Sequence, residues 1–256
     1  MTLDAWGWTI AIAAALFVGI SKTGIGGLGM LAVVLFAQVM PAKQATGVVL
    51  PLLCFGDFVA VAAYWKHAKW EHIWRLFPWT AGGVFLGYFA LGRVDEYQAR
   101  MLIGIIVLGL VALHLLRRRY YGHETDHGAW FAPMIGILAG FTTLVANAAG
   151  PMMVVYLLAM RLPKMDFFGT SAVFFTILNL FKVPFMMRLG LITVESLKFN
   201  LLLAPIVFAG AWYGRRLLTK INQRVFENLA LGLSVAASLE LMFKVSVRIS
   251  GWFRES

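Results

Sequence analysis

Twice in this chain an apolar stretch is broken by glycines and small polar residues. The first break is Gly19-Ile-Ser21-Lys22-Thr23-Gly24-Ile-Gly26-Gly27-Leu-Gly29, and the second is Gly140-Phe-Thr142-Thr143-Leu-Val-Ala-Asn147-Ala-Ala-Gly150-Pro151. Non-helical backbone at membrane depth survives only where it is buried in protein or lines a polar cavity. Interruptions at matching places in two halves of a membrane chain point to a transporter's substrate site. The membrane class itself follows from composition, since 61% of residues are hydrophobic and 13% charged, against roughly 25% charged in soluble domains. Charge-free runs recur, among them 5–21, 23–42, 44–56, 76–92, 128–160 and 199–214. Several approach the ~20 residues of a simple span and several fall short, which suggests half-helices or tilted, buried helices. The reading is an all-α polytopic membrane protein forming a single membrane domain over residues 1–256.

Residues 1–8 carry Asp4 and no basic residue, so a cleavable signal is not expected and the first helix stays. The net charge of +10 lies in short loops between apolar spans rather than on one soluble face, which argues against nucleic acid as a partner. A single cysteine, Cys54, excludes an internal disulfide and any multi-cysteine metal site.

The two halves match along their length. Gly19 pairs with Gly140, Gly29 with Gly150, Pro41 with Pro163, Gly47 with Gly169, Asp57 with Asn179, Gly87 with Gly210 and Gly109 with Gly232, at offsets that drift only from 121 to 123. Duplication followed by single-residue insertions leaves such a drift, whereas chance matches scatter. Residues 1–118 form the first repeat and 129–256 the second, each with five helical segments: 6–20, 28–40, 44–64, 73–91 and 99–116, then 130–141, 151–160, 167–187, 197–215 and 223–243. If the two short segments of each half enter and return on one side, the loops divide 12 Lys and Arg against 8, whereas one broken span per half divides them 9 against 11. The positive-inside rule therefore favours inverted repeats, each a re-entrant helix pair plus three spanning helices, with both termini outside.

Helices that start near Gly27 and at Pro151 present unpaired N–H groups and the positive end of a macrodipole to whatever lies between them. Proline suits the first helical position, while Gly24, Gly26, Gly27 and Gly150 permit close backbone approach. Ser21, Thr23, Thr142, Thr143 and Asn147 add donors suited to a tetrahedral oxyanion. Lys22 is either the substrate's counter-charge or a residue that snorkels or pairs permanently with a carboxylate. Asp57, with its counterpart Asn179, either pairs with Lys22 or carries a proton, or else ties down exposed backbone N–H groups. Lys182, one turn after Asn179 and just before Pro184, is read as snorkelling. The loop 64–72 reads as an interfacial aromatic belt with cytoplasmic basic residues. No nucleophile triad, carboxylate pair or histidine cluster is visible in the spans, so neither an enzyme nor a cofactor is expected.

At the segment Gly19 to Gly29, with Gln44-Ala-Thr46-Gly47 and Gly56-Asp57 following, the sequence resembles the sulfite exporter TauE/SafE family. The resemblance implies a multi-pass transporter of a bacterial inner membrane that exports sulfite, sulfoacetate or a related organosulfonate. It carries over Ser21, Lys22, Thr23, Gln44, Thr46 and Asp57 as substrate-binding residues. Expected partners are the small anion and membrane lipid, with a homodimer as one open assembly state. A carboxylate carrier, an uptake carrier and a membrane partner protein without transport of its own stand as alternatives.

Overall fold

The computed structural model describes residues 4–23, 32, 35–36, 38–90, 108–109, 112, 128–220, 222, 225, 228, 232, 235–236 and 239. Among the described residues the elements are α1 Ala5–Thr23, α2 Ala42–Tyr64, a 3-10 turn Trp65–His67, α3 Trp70–Ala90, α4 Phe131–Ala146, α5 Gly150–Ala159, α6 Lys164–Arg188 and α7 Val194–Lys220. Ala5–Thr23, Gln44–His67, Lys164–Arg188 and Val194–Leu218 are each long and apolar enough to cross a membrane. The chain is thus a helical, multi-pass membrane protein. The segments expected over 28–40, 99–116 and 223–243 fall largely outside the described residues.

Local chemistry sets the helix ends. Asp4 accepts the Gly7 N–H at 2.8 Å and so caps α1. Pro41 and Pro163 stand in the extended region immediately before α2 and α6, and each leaves the chain positioned to enter a helix. α4 stops at Asn147, which adopts the left-handed conformation at φ 51°, a backbone state that asparagine tolerates better than most residues. The Asn147 and Ala148 N–H groups return to the Thr143 and Thr142 carbonyls, so the helix end satisfies its own acceptors. α5 then starts at Gly150 with Pro151 in its first turn.

The helices pack in two groups. α1, α2 and α7 share an apolar core built on Ala11, Ala14, Val18, Val48, Leu52, Leu203 and Val207. α3, α4, α5 and α6 share a second one with Leu76, Val84, Ile135, Leu144, Met152 and Phe174. Glycine makes the tightest crossings possible. A Cβ added at Gly19 would run into the Val207 carbonyl and Ala211 of α7, and one at Gly140 into the Thr80 carbonyl and Val84 of α3. Such backbone proximity is what small residues provide between membrane helices, where dispersion rather than water exclusion drives packing.

These two crossings correspond residue by residue. Gly210 meets Leu16 while Gly83 meets Ile137, and Gly214 meets Ile20 and Thr23 while Gly87 meets Phe141 and Leu144. The α1 positions map to α4 at an offset of 121, as the sequence spacing has it, but the α3 positions map to α7 at 127 rather than 123. Pro78 and Pro205, inside α3 and α7, share that offset of 127. The four-residue difference is about one helical turn, so either register puts glycine on the same face, and the prolines and the contacts separate them.

α2 and α6 cross antiparallel. Gly47 near the start of α2 abuts Leu191 beyond the end of α6, and Gly169 near the start of α6 abuts Tyr64, His67 and Ala68 at the end of α2. α4 and α5 form a hairpin, because Tyr156 of α5 stacks on Phe131 at the start of α4, their ring centroids 5.9 Å apart. At ten residues α5 is about 15 Å long, half of a hydrocarbon core, and Pro151–Ala159 are all buried. It is the half-helix expected at 151–160.

Candidate functional site

The α2–α6 crossing, the last turn of α1 and the tip of the α4–α5 hairpin enclose one cavity. Ser21 and Lys22 come from α1, Leu53 and Asp57 from α2, and Thr143 and Asn147 from α4 and its cap. Gly150, Met153 and Val154 come from α5, and Phe167, Phe168, Ser171, Ala172, Phe175 and Asn179 from α6. The wall is mostly apolar with a few convergent polar groups, the usual make-up of a small-molecule site.

Asp57 is wholly buried, and its two oxygens are held differently. Lys22 Nζ lies 2.6 Å from Oδ1, and Asn179 Nδ2 donates to Oδ2 at 2.6 Å. A buried carboxylate without such partners would cost several kcal/mol. The Lys22 ammonium also stands 4.8 Å from the centre of the Phe175 ring, whose electron-rich face favours a cation. Of the alternatives for Lys22, the snorkelling one is replaced by an ion pair at the cavity wall.

Lys182 does not snorkel. It is completely buried, donating to the Thr143 carbonyl at 3.2 Å, the Thr143 hydroxyl at 2.9 Å and Asn147 Oδ1 at 2.7 Å. The Asn147 amide in turn donates to the Thr46 carbonyl at 2.9 Å. Lys182 thus faces the C-terminal turn of α4, the negative end of its dipole, and α6 has turned inward a side chain long enough to have reached an interface.

The cavity gathers Ser21, Lys22, Asp57, Thr143, Asn147, Gly150 and Asn179 from the residues singled out by sequence. Other candidates are used elsewhere. The Thr23 hydroxyl bonds to the Gly19 and Ala211 carbonyls, which locks the end of α1 to α7, while Tyr64 donates to the Thr23 carbonyl at 2.9 Å. Thr142 bonds back to the Leu138 carbonyl at 2.8 Å and touches Met152. Thr46 contributes its carbonyl to Asn147 and does not line the cavity, and Gln44 is exposed. Gly24, Gly26 and Gly27 lie outside the described residues. Sequence reasoning missed Ser171 and Phe175, yet with Asn179 and Lys182 they recur at i, i+4, i+8 and i+11, one face of a helix.

A family model described as "Sulfite exporter TauE/SafE" matches residues 11–241. The chain belongs to the TauE/SafE family. Comparison with curated proteins gives no match, and neither does comparison with solved structures. The TauE/SafE match spans both glycine-broken stretches and every residue of the cavity wall. Membership makes this a membrane transport protein of a sulfite-exporting family, consistent with its multi-pass helices.

Proposed function

We propose that this protein is an alternating-access carrier that exports a small sulfur-containing oxyanion, such as sulfite, sulfoacetate or a related organosulfonate, across a bacterial inner membrane. The observation that carries this reading is the chemistry of the cavity. Lys22, Ser171, Asn147, Asn179 and the N-terminal end of α5 at Gly150 line one partly apolar space, together with Ser21, whose hydroxyl donates to the Val18 carbonyl. Anions are favoured at helix N-termini, and three oxygens on one sulfur can take several such donors at once. Lys22 is within reach of both Asp57 and a bound anion, so anion entry would loosen one ion pair as another forms.

The antiparallel α2–α6 crossing and the correspondence of the two glycine-lined crossings support two inverted repeats around this site. Such repeats provide alternating access when one half rocks against the other about a midplane site. An inside-negative potential favours exit of an anion by about 2.3 kcal/mol per charge per 100 mV, so export needs no coupling ion.

The test is a thermal-shift panel on purified protein with sulfite, sulfoacetate, taurine, sulfate, thiosulfate and acetate, followed by efflux from proteoliposomes. A ligand at about 100 times its Kd stabilises by about 2.7 kcal/mol. Stabilisation by a sulfur oxyanion, with potential-driven efflux of the same ion, supports the reading. A response to acetate alone, or no anion response at all, would sink it.

A further inference from the structure

The charges around the cavity do not balance. Lys22 and Asp57 form a 2.6 Å pair and cancel. Lys182, wholly buried, has no carboxylate partner among the described residues, and its three contacts are all to neutral oxygens. Three acceptors match the three donors of an ammonium one for one. Two of the three come from Thr143 and the third from Asn147, and both of those residues line the cavity, so the charge sits one side chain behind the wall. The C-terminal dipole of α4 offsets part of it, while the N-terminal end of α5 at Gly150 adds positive potential on the cavity side.

We propose that Lys182 is the fixed counter-charge of the site, acting through the Thr143 and Asn147 wall, and that it matches the site to a singly charged oxyanion. The inference rests on the anion-carrier reading above and narrows its cargo: of the anions named there it favours hydrogensulfite or a monosulfonate over sulfoacetate, whose sulfonate and carboxylate carry two charges at neutral pH. Lys22 and Asp57 cancel in charge whichever of them the anion meets, so the one spare positive charge leaves the complex neutral when a monoanion binds. A dianion would leave a net negative charge in a low-dielectric interior, where uncompensated charge is costly. Lys182 is a positioning and charge-setting residue, since it does not line the cavity.

The experiment is isothermal titration of the full-length detergent-solubilised protein with methanesulfonate and with sulfate, tetrahedral oxyanions of charge one and two. Wild type should prefer methanesulfonate. Removing one unit charge acts twice as strongly on a dianion as on a monoanion, so Lys182→Gln should weaken methanesulfonate about tenfold and sulfate about a hundredfold. A purely structural role at the hairpin tip would weaken both anions equally, and that result overturns the proposal. Asp57→Asn removes a negative charge instead and should move the preference toward sulfate by about tenfold. It decides the matter if Lys182→Gln fails to fold, and an unchanged preference there overturns the proposal as well. A wild type that binds neither anion overturns the functional reading together with this one. A wild type that binds, with variants that keep its preference, overturns this one alone.

Discussion

Lys22 and Asp57 hold each other across 2.6 Å with the carboxylate completely buried, and the consequence depends on which partner is removed. Lys22→Ala strands an ionised carboxylate inside the protein, and a denaturation midpoint in detergent should report a loss of about 3–5 kcal/mol. Removing both charges, as Lys22→Met with Asp57→Leu, should recover most of that stability while transport stays lost. If the single and double variants prove equally unstable, the pair is not what holds this crossing. Asn179→Ala is milder: one oxygen of Asp57 loses its amide donor, for about 1–3 kcal/mol. Sequence marked Asp57 and Asn179 as equivalent places and offered Lys22 as a partner of Asp57, but not their own contact, which arises because equivalent places can meet where a helix crosses its own counterpart. Lys182 was not legible. A lysine beside Pro184 looks interfacial until the α4 terminus is seen to offer it Thr143 and Asn147.

At the scale of elements, glycine decides which helices can touch. Gly140→Val would force a branched side chain into the Thr80 carbonyl and Val84 of α3, and Gly19→Val into Val207 and Ala211 of α7. Each should cost about 1–3 kcal/mol through overpacking, read as a lowered melting temperature and poorer recovery from the membrane. Gly82, also in α3, has open space around it, and Gly82→Ala should be neutral or gain up to about 1 kcal/mol from helix propensity. Equal losses at all three positions would mean that glycine matters here for flexibility and not for contact. The helix ends were readable because Pro41, Pro163 and Pro151 punctuate the chain by covalent geometry. The register of α7 against α3 was missed, since a shift of one turn preserves the hydrophobic face and the glycine stripe alike; Pro78 and Pro205 stand 127 apart, and contacts such as Leu16–Gly210 and Ile137–Gly83 choose 127 over 123.

For the whole molecule, the antiparallel α2–α6 pair fixes which loops share a side. The turn Trp65–His67 lies with the start of α6: Gly169 abuts Tyr64, His67 and Ala68, and Lys69 meets Asp166 at 3.0 Å. The start of α1 lies with the start of α7, where Trp8 and Phe199 rings sit 5.5 Å apart. Exposed Lys66 and Arg161 therefore belong to one face, and exposed Ala5 and Glu195 to the other. The first face also holds Arg75 and Lys69 and is the one that the positive-inside rule sends to the cytoplasm. Because Cys54 is the sole cysteine and is buried, replacing it with serine gives a background in which single introduced cysteines report their own side. A membrane-impermeant maleimide applied to intact cells should label Ala5→Cys and Glu195→Cys but spare Lys66→Cys and Arg161→Cys until the cells are opened. The reverse pattern would keep the fold and turn it over in the membrane, and the push of the potential on an exiting anion would be unchanged. Labelling of Ala5→Cys together with Lys66→Cys would break the placing of α1 against α2, and with it the inverted-repeat and alternating-access reading proposed above.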